Sequence, residues 1–219
     1  KEGLISLDDQ VVVSTKAWKM GGSKMFIEAG KKVTVDQLLN GIIIQSGNDA
    51  SVALAEHIAG TEKTFAVLMN DYAKKLGMSG SSFSNASGYP DAETYVTARD
   101  VAILSQALIR DFPSIYERFS RPDYTFNKIK QPNRNRLLNY DSTVDGIKTG
   151  HTEKAGYCLA ASANRDGMRL VSVTMGASSD GKRVESSRAL LNYGYRFFAR
   201  ERFYSAGEFI SEGRVWGGD

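Results

Sequence analysis

The sequence predicts an α+β domain in which helices pack on an antiparallel sheet. Three observations carry this. Helix-opening caps followed by apolar residues at helical spacing dominate residues 34–112, and β-favouring runs dominate residues 124–175 before one long helical pattern closes the order. Between two of those runs, Asn164-Arg165-Asp166-Gly167 is a hairpin turn.

The elements follow in order. Residues 1–33 hold a short apolar run, Val11 to Val13, and a loop rich in Gly and Lys that ends at Met25-Phe26-Ile27, which favours strand and loop. Thr34 with Gln37 three residues on is a capping box opening a helix through Leu38, Leu39, Ile42 and Ile43, ending near Ser46-Gly47. Asn48 is placed to cap a second helix running to about Ala59, and Gly60 closes it. Thr61 opens a third, with Phe65, Leu68, Met69, Tyr72 and Leu76 on one face before Gly77. Residues 78–96 are dense in Ser, Gly, Asn and Asp and read as loop. Thr97 with Asp100 is a second capping box, with Val101, Leu104 and Leu108 as the buried face of a fourth helix ending before Pro113. Strands are expected at Tyr124 to Phe126, Val144 to Thr149 and Tyr157 to Ser162, the last paired with Met168 to Met175. A helix from about Lys182 to Ala199 then buries Val184, Leu191, Tyr195 and Phe198.

Composition excludes several classes of function. The 219 residues carry 28 Lys and Arg against 25 Asp and Glu, a net charge of +3 with the signs interspersed, so no nucleic-acid partner is implied. The longest apolar stretches, Ile42 to Ile44 and Leu170 to Val173, are far short of the about 18 residues that cross a bilayer. One cysteine, Cys158, and two distant histidines offer no metal-ligand spacing, so neither a metal nor a cofactor is expected. Cys158 reads as a small buried hydrophobe, His57 as a helix-surface or core residue, and Trp18, Met20 and Met25 as packing. The first residue is Lys, no signal-peptide pattern opens the chain, and Gly217-Gly218-Asp219 reads as a stop in mid-course; these point to a fragment of a longer product.

Two short strings bear on chemistry: Ser46-Gly47-Asn48 at a helix junction and Lys148-Thr149-Gly150 at a strand end. Alone, the first is an ordinary turn and helix cap and the second a solvated strand edge. Together, in this order, they match the later two motifs of a set whose first is a Ser-x-x-Lys nucleophile. With Gln45, Asp49 and Ala50 flanking the first, Asn133-Arg134-Asn135, Val144 to Thr152, Thr97 to Asp100 and Ala155-Gly156-Tyr157, the sequence resembles the low-molecular-mass penicillin-binding proteins, the D-alanyl-D-alanine carboxypeptidases. The resemblance runs from about Lys1 to Ala199.

That resemblance implies a β-lactamase/transpeptidase-like domain over residues 1–199, incomplete at its N-terminus, with residues 200–219 beginning a C-terminal β-rich domain or linker. It implies a penicillin-sensitive serine peptidase that removes the last D-alanine of peptidoglycan stem peptides ending in D-Ala-D-Ala. The setting would be the periplasm or the outer face of the cytoplasmic membrane, through a C-terminal anchor. Ser46 and Asn48 would line the cleft, Ser46 relaying protons and Asn48 contacting the substrate amide, with Lys148 the third catalytic residue, and the His151 N–H would form half of the oxyanion hole. Thr149, Arg134 and Arg183 would hold the terminal carboxylate; chemistry independently requires a cationic locus there, which Lys148, Arg134 and Arg183 are the residues to supply with the Thr149 hydroxyl. Gly150 to Thr152 would pair with the substrate backbone as an edge strand. The imidazole of His151 has no role in this scheme.

One departure stands out. The Ser-x-x-Lys motif expected upstream of Ser46 is absent; Ser14-Thr15-Lys16 and Ser23-Lys24 lack the two intervening residues that place Ser and Lys one helical turn apart. Ser179-Asp180-Gly181-Lys182 matches formally, but in the wrong order, and reads as a polar turn. The acylated serine is therefore expected on a missing N-terminal segment, and these residues alone are not expected to acylate. A β-lactamase, an endopeptidase of the same superfamily and a non-catalytic peptidoglycan-binding module remain the alternatives.

Overall fold

The computed structural model describes residue 3, residues 5–205 and residues 207–212. Strand β1 (Gln10–Val12) pairs antiparallel with β2 (Lys32–Thr34), with helix α1 (Thr15–Lys19) between them. Thr34 forms the predicted reciprocal cap: its hydroxyl accepts from the Gln37 N–H at 3.1 Å, and its own N–H donates to the Gln37 side chain at 3.0 Å. The helix so opened, α2 (Val35–Asn40), passes into a π-helical turn, Gly41–Gln45. Helices α3 (Asn48–Ala59), α4 (Glu62–Leu76), α5 (Ala98–Asp111) and the short α6 (Pro113–Tyr116) follow, and a 3₁₀ turn, Glu117–Ser120, ends the helical part.

A hairpin of β3 (Asp123–Phe126) and β4 (Ile129–Pro132) stands by itself. After a second 3₁₀ turn, Arg136–Asn139, come β5 (Val144–Thr152), β6 (Gly156–Arg165) and β7 (Met168–Ala177), antiparallel in that order, and then α7 (Asp180–Phe197). The turn joining β6 to β7 has positive φ at both central residues, Asp166 at 49° and Gly167 at 79°, the twist that a two-residue hairpin needs.

The sheet is covered on both faces, and β6 shows how. Leu159, Ala161 and Ala163 pack with Leu137, Val144 and the α7 residue Leu191, whereas Ala160 packs with Ile43, Ile44, Tyr116, Phe119 and Ile147. Alternation along one strand thus fixes α7 on one face and the π turn with the α6 region on the other. A second core joins β1 and β2 to α1, α2 and α3 through Val11, Val33, Met25, Leu38 and Val52.

Several expectations are corrected. The face of α4 that packs is Glu62, Ala66 and Ala73, while Leu68 and Tyr72 are exposed; small residues allow close helix approach, and the large apolar ones are left at the margin. In α5, Leu104 is exposed and Asp100, Ser105 and Ala107 are buried. Only half of its predicted box forms: Thr97 accepts from the Asp100 N–H, but the Asp100 carboxylate turns to the Gly80 N–H and the Ser81 hydroxyl. Helix α7 begins two residues earlier than expected because the Ser179 hydroxyl accepts from the Lys182 N–H, which gives Ser179-Asp180-Gly181-Lys182 a capping role. It ends at Phe197, so Phe198 is exposed outside it. Cys158 is half-buried, with Sγ 3.6 Å from the Ala155 carbonyl oxygen. The expectation for residues 200–219 falls in part on 206 and 213–219, outside the described residues, as do 1, 2 and 4 of the first domain.

Candidate active site

Ser46 owes its position to an irregular backbone. The π turn carries the chain from α2 into Ser46 at φ 59°, ψ 39°, a left-handed conformation that a non-glycine residue adopts at a cost of about 1 kcal/mol or more. The Ser46 N–H donates to Ile42 O and the Gly47 N–H to Gly41 O, both at 3.1 Å, which closes the turn. Gly41 permits it, since a Cβ there would lie 2.2 Å from the Sδ of the fully buried Met25. Gly41→Ala is therefore expected to cost about 1–3 kcal/mol by overpacking. Thermal unfolding would measure it, and an unchanged melting point would contradict the contact.

Gly47 caps α3, and Asn48, expected as the cap, is instead its first residue, with its amide donating to Gly21 O at 2.8 Å. The next residue, Asp49, is 1% exposed and accepts four backbone N–H groups: Met25 and Ala50 on Oδ1, Phe26 and Ile27 on Oδ2, at 2.8–3.3 Å. Phe26 sits at φ 68°, which turns successive N–H groups toward one anion. Asp49 thereby ties residues 25–27 to the helix that begins with Asn48.

The second half of the site is β5, whose only strand partner among the described residues is β6. Tyr116 sits beneath its start, where a Cβ on Gly146 would lie 2.6 Å from the phenol oxygen. That phenol donates to Asp145 at 2.6 Å, and Arg169 grips the same carboxylate with both terminal nitrogens at 2.7 and 2.8 Å. Burial first, and the Asp145 contact second, push the Tyr116 hydroxyl pKa up, so it stays a donor.

Lys148 joins the halves. Its Nζ donates to Ser46 Oγ at 2.8 Å across 102 residues of sequence, and to Thr149 O at 2.9 Å. Burial lowers the ammonium pKa to about 7, and the positive charges of Arg134 and Arg183 act in the same direction. A lysine near neutrality can both take and return a proton, which an ordinary surface lysine cannot do efficiently.

Lys148 is accordingly expected to titrate near pH 7 in the folded chain, and Arg134→Gln to raise the midpoint; an NMR titration of labelled lysine checks both. The unfolded lysine keeps its proton up to 10.5, so between about 7 and 10.5 the unfolded state binds more protons than the folded one. This group's contribution therefore makes stability rise with pH across that window, and Lys148→Met should remove the slope.

Arg134 projects from a turn braced by its neighbours. Asn133 donates to Phe119 O and Arg121 O and accepts the Asn135 N–H, while Asn135 accepts the Leu137 N–H. The Arg134 Nε donates to Gln45 O at 2.9 Å, and the Gln45 amide reaches Pro132 O, so Arg134 and the residue before Ser46 hold each other. The Thr149 side chain is buried, Gly150 is exposed, and the His151 ring packs against Tyr157 at 4.1 Å between centroids, tilted by 37°.

Arg183 enters differently from the sequence expectation. It is 6% exposed, its Nη1 donates to Gly150 O at 3.1 Å and Cys158 O at 3.2 Å, and its Nη2 pairs with Asp180. Asp180 also holds Arg136 at 3.1 Å. Ser46, Lys148, Arg134 and Arg183 are thus brought together, with Arg183 reaching the group from α7 through the Gly150 carbonyl.

Residues that sequence reasoning missed are Asp49, Asp180, Asp145 and Arg169, which hold others in place. Asp49 directly after Ser46-Gly47-Asn48, in the first turn of a helix, was the available signal. A hollow of about 490 Å³ beside α7, lined by residues including Arg136, Tyr140 and Arg188, contains none of the expected site residues. Among the described residues no cluster of three or more His, Cys, Asp or Glu could hold a metal, and no helix is long and apolar enough to cross a membrane.

The architecture and the Ser–Lys pairing at a sheet edge define a class. Penicillin binding protein 5 from Haemophilus influenzae superposes with a TM-score of 0.94 at 44% identity, covering 100% of this chain and 65% of that one. A DD-transpeptidase from Streptomyces superposes at 0.84 with 27% identity, covering 90% and 82%. The fold is therefore that of penicillin-binding proteins and DD-peptidases. The sequence model described as D-alanyl-D-alanine carboxypeptidase matches residues 1–179, and this chain belongs to that family. The D-alanyl-D-alanine carboxypeptidase DacC of Escherichia coli is 45% identical over 226 residues, covering 100% of this chain and 56% of the relative. The chain thus spans a little over half the length of that relative.

Proposed function

We propose that this chain supplies the substrate-binding wall and proton-handling groups of a penicillin-sensitive serine D-Ala-D-Ala carboxypeptidase acting on peptidoglycan stem peptides. The observation that carries the reading is the 2.8 Å bond from Lys148 Nζ to Ser46 Oγ, with the lysine poised near neutrality. Membership in the family supports it.

Lys148 and Ser46 pass the proton between the attacking serine and the leaving D-alanine, and Asn48 receives the substrate amide. Thr149, with the charges of Arg134 and Arg183, draws in the terminal carboxylate. Gly150 and His151 present the edge-strand backbone, the His151 N–H facing the developing oxyanion. The acyl bond forms on a serine outside these 219 residues, since no Ser-x-x-Lys of suitable context is among them. Residues 1–199 belong to the catalytic domain and 200–219 lead into a further domain or linker. The setting is the periplasm or the outer face of the cytoplasmic membrane.

The test is incubation of the purified protein with a penicillin, followed by intact-mass measurement of every polypeptide present. One penicillin mass on a polypeptide carrying the missing motif is expected. If no polypeptide gains mass, the catalytic reading fails and a binding module takes its place.

A further inference from the structure

The contacts of Arg183 assign it a task other than holding a carboxylate. Its single Nη1 lies within 3.2 Å of both Gly150 O and Cys158 O, residues that face each other in the β5–β6 register. In an antiparallel pair, carbonyls of facing residues either both point into the gap between the strands or both point away, and one nitrogen reaches both only in the first case. Gly150 O therefore points inward. In a trans peptide unit the C=O and N–H point in opposite directions, so the N–H on the other side of that unit, that of His151, points out along the free edge of β5.

We propose that Asp180 and Arg183 form a strut that orients and polarises the Gly150–His151 peptide unit, making Asp180 a positioning residue for the oxyanion donor. This rests on the functional reading above. A cationic donor on the carbonyl end of an amide draws charge through the peptide unit and strengthens its N–H as a donor, as chains of hydrogen bonds polarise one another. Asp180 fixes the guanidinium, and its other oxygen is held by Arg136, so the carboxylate is itself anchored. Among the described residues the buried Arg183 Nε has no hydrogen-bond partner, so the bonds to Asp180 and the two carbonyls, with the Tyr157 ring 5.5 Å from the guanidinium carbon, set the orientation of the group.

The test uses Asp180→Asn and Asp180→Glu with two readouts. In the 219-residue chain, the His151 amide resonance in nitrogen-resolved NMR is expected to shift in Asp180→Asn and to return toward its original position in Asp180→Glu. In the catalytically complete protein, Asp180→Asn is expected to lower kcat about 10-fold with KM within about 2-fold, a fraction of the 10²–10³ that a whole oxyanion donor supplies. An unmoved His151 resonance overturns the proposal. So does a rise in KM at constant kcat, which would mark Arg183 as a direct carboxylate ligand, or an equal loss in both variants, which would mark a general effect on folding. Should the complete protein neither cleave D-Ala-D-Ala nor take up penicillin, the functional reading falls, while the resonance still decides whether the strut exists.

Discussion

Lys148→Ala is expected to lower the rate of penicillin acylation of the catalytically complete protein by about 10³-fold while leaving the melting temperature equal or higher. Two physical losses combine. Ser46 Oγ loses its 2.8 Å donor, and the pair proposed to move the proton ceases to exist. General acid–base groups contribute roughly 10²–10⁴-fold, which sets the scale. Stability is not expected to follow, because at pH below about 7 the folded chain holds a partly buried, charged lysine at a cost that alanine removes.

Lys148→Arg separates the two roles of the lysine. Arginine keeps the positive charge but does not surrender a proton near neutral pH. If Lys148 acted only by attracting the carboxylate, arginine would restore the rate. Here it is expected to restore less than about a tenth, since proton exchange with Ser46 is the step argued from the geometry. Stopped-flow acylation with a chromogenic penicillin distinguishes the cases, and full rescue by arginine would sink the proton-transfer role.

Why Ser46 and Lys148 were legible in sequence while their supports were not has a physical explanation. Caps are local: Thr34 and Gln37 lie within one turn, and Asp166-Gly167 makes a hairpin from two residues, so short strings specify them. The Ser46 and Lys148 motifs stand out in sequence because their residue types are tied to the proposed chemistry, and the 2.8 Å bond between them joins the two strings. The supports are non-local. Asp49 holds the N–H groups of residues 22 to 24 positions away, and Arg169 meets Asp145 across 24, which no window of periodicity registers. Helix faces failed for another reason: apolar spacing marks Leu68 and Tyr72, but closeness of approach selects Ala66 and Ala73. The π turn was equally hidden, since the close approach that Gly41 permits is to Met25, 16 residues earlier in the chain.

Asp49→Ala is the substitution expected to damage the fold most, by about 4 kcal/mol, or roughly 10 °C in melting temperature for a chain of this size. The carboxylate is 1% exposed, with four backbone N–H donors and no cationic side chain bonded to it among the described residues. Its charge is carried by those donors and by the N-terminal end of α3, where it sits in the first turn. Alanine orphans three N–H groups from the 25–27 segment, each costing about 1–3 kcal/mol unless water enters. Asparagine keeps one accepting oxygen but turns an amide toward donors, so it should recover less than half of the loss. The damage also reaches the site, because releasing residues 25–27 frees the Gly21 carbonyl that holds the Asn48 amide and loosens the Met25 contact that shapes the turn before Ser46. Asp49→Ala, assayed below its melting temperature, should therefore bind substrate more weakly as well as melt earlier. A melting temperature within about 2 °C of the parent would show that water replaces the carboxylate at little cost, and that Asn48 does not depend on it.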